Sequence, residues 1–174
     1  MKKAHRIFFS TVFSLLPVSP LAADTDSEQL DQVTVSMQDF RILEGENWEG
    51  SLSYLNYGSD QRYSIPVMMA IEILNDRSLR FSIRYPGEEQ YNDSEKIRIS
   101  RNGKRVDGFD LVAREDRADG ALILTSQGSG RDDDRKADIQ TVYTISANAF
   151  QIEKNIRFGQ DDEFFNRNTY QFVR

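Results

Sequence analysis

The stretch Arg62-Tyr63-Ser64-Ile65-Pro66-Val67-Met68-Met69-Ala70-Ile71-Glu72-Ile73 sets Tyr63, Ile65, Val67, Met69, Ile71 and Ile73 at every second position. Successive side chains of an extended chain point to opposite faces, so only a strand places all of these on one side. A helix would scatter them around its axis. Pro66 has no N–H for a ladder hydrogen bond, which predicts a bulge or bend in this long strand.

The same alternation continues in both directions. Upstream, Trp48, Gly50, Leu52 and Tyr54 share one face against Glu49, Ser51 and Ser53. Downstream, a turn at Asn75–Ser78 leads to Leu79, Phe81, Ile83 and Tyr85, and Pro86-Gly87 ends that strand. Lys96–Ser100 follows, with Asn102-Gly103 as a tight turn. A strand from Lys104 to Glu115 is expected next, with Gly108 as a bulge, then one over Ala121–Ser126. Gly128–Asp134 reads as a turn, before strands near Ile139–Ser146, Phe150–Phe158 and Phe164–Val173. No crossover helix separates the strands, so sequential hairpins are the natural connection, and a meander of this length closes to remove its edges. The expected class is all-β, an antiparallel up-and-down meander barrel of about eight to ten strands with a short N-terminal helix. That helix is expected over Ser36–Gly45, where Met37, Phe40 and Leu43 have helical spacing and Gly45 closes it.

Before the barrel the pattern changes. Met1-Lys2-Lys3 and Arg6 precede the apolar run Ile7–Val18 and the small residues Ala22-Ala23, the form of a secretory signal peptide over residues 1–23. The run is shorter than the ~20 residues of a spanning helix. The chain is thus expected to be an exported bacterial-type precursor destined for the periplasm, with the outer membrane or the extracellular space as alternatives. Residues 24–36 are expected to be flexible and residues 37–174 to form one barrel domain.

Charge and composition narrow the chemistry. The net charge is −6, and the leader removes Lys2, Lys3 and Arg6 and no acid, so the exported part is more acidic still. Nucleic acid is not an expected partner. There is no cysteine, and the one histidine, His5, lies in the leader. Ser-His-Asp and Cys-His nucleophile systems, the usual zinc sites and histidine-ligated haem or copper all lack their ligands. No cofactor, metal or catalysis is expected. Arg131-Asp132-Asp133-Asp134-Arg135 lacks the spaced acids of a calcium loop and reads as a solvated turn.

Leu43-x-Gly45-x-x-Trp48-x-Gly50, where a short helix enters the first strand, resembles the opening of lipocalin-like barrels. In that family a glycine and a tryptophan cap the closed end and a late arginine packs over the indole. The resemblance implies a closure made by Gly45, Trp48 and Arg167, with Arg174 as the weaker choice, and a habit of carrying small apolar or amphipathic ligands. Tyr54, Met69, Phe81, Tyr85 and Tyr143 would line such a site. If Phe150, Ile152, Ile156 and Phe158 face inward, so does Lys154, and a buried ammonium needs a partner. Either Lys154 meets a ligand carboxylate, or it sits near the open mouth or pairs with an internal acid or tyrosine. The inward rings either line a cavity or fill the barrel. A filled envelope interaction protein and a small outer-membrane barrel remain alternatives, although Lys154 at mid-strand and Asn166 and Asn168 in the last strand disfavour a lipid-facing surface.

Overall fold

The computed structural model describes residues 33–174, so the expected leader and residues 24–32 lie outside the described residues. Strands β1 (Gly45–Asn56), β2 (Gln61–Asn75), β3 (Ser78–Arg84), β4 (Asp93–Arg98) and β5 (Arg105–Val106) make the first half of the sheet. Strands β6 (Phe109–Asp116), β7 (Leu122–Asp132), β8 (Arg135–Ile145), β9 (Ala149–Arg157) and β10 (Phe165–Val173) make the second. Each pairs antiparallel with its sequence neighbour, except that β4 and β5 meet at the single bridge Ile99↔Val106, and β1 pairs with β10. The result is a nearly closed ten-stranded up-and-down barrel. The period-two pattern of Tyr63 to Ile73 is realised in β2, where Val67, Met69 and Ile71 are buried.

Helix α1 (Met37–Arg41) covers one end of this barrel. The Asp39 carboxylate accepts the Ser36 N–H at 2.7 Å, which starts the helix, and also pairs with Arg114 at 3.1 Å. Met37, Phe40 and Leu43 are buried against the barrel interior, each contributing roughly 2 kcal/mol by the area it removes from water. The helix ends at Arg41, so Gly45 is not its cap but the first residue of β1. Near the end of the expected segment 24–36, Val35 is buried and its N–H donates to the Gly103 carbonyl at 2.9 Å.

Three further expectations change for physical reasons. Pro66 sits in unbroken register opposite Ser51, without a bulge, because β3 pairs with β2 only from Met68 onward and leaves one side of Pro66 with no ladder to serve. The expected strand Lys104–Glu115 is instead a hairpin, β5–β6, turned by Asp107 and Gly108 at φ +49° and +87°. Gly128–Asp132 is strand, not turn, and the reversal is made by Asp133 and Asp134 alone. Gly128 is there to make room: a Cβ on it would lie 2.5 Å from the Phe109 ring.

The short β5–β6 hairpin leaves the wall incomplete. Strand β6 first pairs with β7 at Asp110↔Gln127, so Gly128–Asp132 has a neighbour only in β8. Residues Asp93–Ile97 of β4 pair only with β3. Between these two free edges the barrel has a lateral notch, with the Asp107-Gly108 turn as its sill.

Candidate functional site

The closed end positions everything above it. Trp48 is fully buried, its Nε1–H donates to the Leu43 carbonyl at 2.8 Å, and Phe150 meets it edge-on with ring centroids 6.3 Å apart. The guanidinium over the indole belongs to Arg174, at 4.4 Å from the ring centre, and not to Arg167. Arg174 also donates to the carbonyls of Ile42, Glu44 and Ala147, and stands 3.3 Å from where a Cβ on Gly45 would be. It thereby ties the segment between α1 and β1 to the last strand. Gly50 lets those strands meet, since a Cβ there would fall 1.8 Å from the Gln171 carbonyl oxygen. Met69, in register with Trp48, is buried in this apolar layer and is not among the residues lining the cavity above it.

Above this layer the barrel holds a cavity of about 310 Å³. Phe81, Tyr143 and Lys154, all expected at the site, line it together with Ile152, Tyr170 and Asn168. Glu95 and Asp107 line it too, and both are exposed, so the cavity reaches solvent at the notch. Tyr54 and Tyr85 lie apart, in a second recess of about 410 Å³ with Leu52, Ile65 and Tyr91. The Tyr85 and Tyr170 hydroxyls, 2.9 Å apart, stand between the two recesses, and Asn168 borders both. Tyr54 stacks on its cross-strand partner Tyr63 at 5.9 Å.

At the other end of the barrel an ionic cluster replaces the apolar layer. The Asp132 side chain, 7% exposed, accepts from Lys154 Nζ at 2.6 Å and Arg167 Nε at 3.2 Å. Its second oxygen also accepts the Tyr57 hydroxyl at 2.7 Å. Burial alone would push the Asp132 carboxyl up, but the hydrogen bonds from Lys154 and Tyr57 and the charges of Lys154 and Arg167 outweigh it and hold it below the usual carboxylate range. Arg167 further donates to the Leu55 carbonyl and lies over the Tyr57 ring at 4.4 Å. Of the two partners open to Lys154 in the sequence, the structure supplies the internal acid. Burial and the bond to Asp132 raise the Tyr57 hydroxyl well above its ordinary value, so it stays a donor.

Reading the sequence alone missed Asp132, Tyr57, Glu95, Asp107 and Tyr170. Strand parity was the usable signal: Asp132 shares the inward face of Leu122, Leu124 and Ser126, and Glu95 that of Ile97. Among the described residues no group of three or more His, Cys, Asp or Glu side chains is placed to hold a metal ion.

These features define a nearly closed antiparallel barrel with an internal, side-opening cavity, an architecture compatible with a lipocalin-like barrel. No protein-family model matches the chain, and no curated protein matches it either.

Proposed function

We propose that the protein is an exported lipocalin-like barrel that binds or shields a small apolar or amphipathic ligand in the bacterial cell envelope, without catalysis. The observation that carries this reading is the cavity between Phe81, Tyr143 and Tyr170, which stays unfilled inside a ring of strands and opens to solvent at one side. Its volume falls in the range of small-molecule sites, whose walls are mostly apolar with a few placed polar groups. The leader-like residues 1–23 support export. An aqueous setting is supported by the outward faces of β3, β4 and β9, which carry Arg80, Arg84, Lys96, Gln151 and Glu153 where a lipid-facing band would need apolar side chains.

The test is native mass spectrometry of the exported protein purified without detergent, paired with an organic extract of the same sample. A co-purifying small molecule whose removal lowers the melting temperature supports the carrier, since a ligand bound only to the folded state stabilises it by mass action. A clean apo mass, with no thermal shift from medium-chain amphiphiles, leaves a ligand-free interaction module instead.

A further inference from the structure

The charges around the notch give the ligand a polarity. Glu95 and Asp107 line the cavity where it meets solvent, and Asp93 lies two residues along β4 on the face of Glu95. Among the described residues none of the three has a basic partner within ion-pair distance. Lys154, the base that lines the cavity, is already held by Asp132, and Arg167, which lines the neighbouring recess, is held by Asp132 and the Leu55 carbonyl. Partial desolvation first, and then the charges of Asp93 and Asp107, raise the Glu95 carboxyl above its ordinary value.

Tyr143 provides an independent sign. It is 5% exposed and lines the cavity, yet among the described residues its hydroxyl has no hydrogen-bond partner. Burial, with Asp107 and Glu95 nearby, raises its ionisation well above the ordinary phenol value, so its oxygen stays neutral with lone pairs to offer. Among the described residues the one fully buried side-chain polar atom without a partner is Ser78 Oγ, so the Tyr143 hydroxyl is open to the cavity and to a ligand donor there.

We propose that the cavity takes a cationic amphiphile, its apolar body among Phe81, Ile152 and the Tyr143 and Tyr170 rings and its ammonium group in the notch between Glu95 and Asp107. The N–H groups donate to the two carboxylates and to the Tyr143 hydroxyl oxygen. The ligand reaches the cavity sideways, between β4 and β7. This inference rests on the carrier reading and adds to it the sign of the ligand's charge.

The experiment titrates the exported protein by calorimetry at pH 8 with three probes of one chain length: decylammonium, decanol and decanoate. Decylammonium is expected to bind roughly tenfold or more tightly than decanol, with decanoate the weakest. The double variant Glu95→Gln/Asp107→Asn is expected to lose that preference while keeping its affinity for decanol, and to melt no lower than the parent because it removes a repulsion. Tyr143→Phe should weaken decylammonium about threefold and leave decanol unchanged. Equal binding of all three probes, a preference for decanoate, or a double variant that loses decanol as well overturns the cationic assignment while leaving the carrier intact. If no probe binds, the carrier reading itself fails.

Discussion

At the closed end, Trp48, Phe40, Leu43 and Phe150 are almost wholly removed from water, and the polar groups there only fasten the layer, Trp48 to Leu43 and Arg174 to Ile42 and Glu44. At the opposite end Asp132, Lys154, Arg167 and Tyr57 form the inner layer, in which the Asp132 side chain is 7% exposed and its cationic partners Arg167 and Lys154 are 22% and 30% exposed. The first layer gains free energy simply by staying dry. The second has charges whose desolvation must be repaid by geometry, so it contributes little net stability while fixing where each side chain stands. A cavity placed between them has a rigid apolar floor and a polar roof. The notch, where neither kind of layer is complete, is the place left for exchange.

The contrast can be broken most severely at the floor. Trp48→Ala should lower unfolding free energy by about 4 kcal/mol in urea titrations, the cost of a large ring deleted from a site that cannot collapse. A loss under about 1 kcal/mol would mean the floor is not what holds the barrel.

The roof should respond less and with a pH signature. Asp132→Asn leaves two cations facing one another and should cost about 2 kcal/mol at pH 7, below the cost for a fully buried pair because Lys154 and Arg167 are partly solvated. The Asp132 carboxyl is lowered in the folded state, so its stabilisation is present above the ordinary carboxylate value near 4 and is lost as pH falls through the folded value. Thermal melts of the parent should therefore drop more steeply below about pH 4 than those of Asp132→Asn. Parallel curves would remove the roof's electrostatic character.

The smallest effect separates the two arginines. Arg174→Ala should cost about 1–2 kcal/mol and shift the emission of the single tryptophan, whereas Arg167→Ala should leave that emission unchanged. A shift with Arg167→Ala would return that residue to the indole.

Strand parity was legible wherever apolar residues alternate with polar ones, as in Ile65 to Ile73 and Leu79 to Ile83, because one buried face and one wet face fix both period and register. Two regions concealed it. A glycine inside a strand and a glycine in a turn look alike in sequence. Gly128 therefore read as a turn when it makes space for Phe109, and Gly108 as a bulge when it turns a hairpin. Charged residues on an inward face hide as well, because alternation is detected through apolar side chains. Starting β4 at Lys96 cut off Asp93 and Glu95, and Asp132 vanished into an acidic run. The arginine over Trp48 was misassigned for a different reason. Arg167 is the extra residue where β10 slips against β9 between Asn166 and Asn168, and that slip sends it toward Asp132.

The pairing of β1 with β10 also carries a consequence for how fast the ring can form. Each hairpin joins neighbours in sequence, but Glu49 must find Val173 before the wall is continuous. Loop-closure entropy is paid in full for that contact before Trp48 receives its cover from Arg174, so the seam is expected to be the slow, late step of folding.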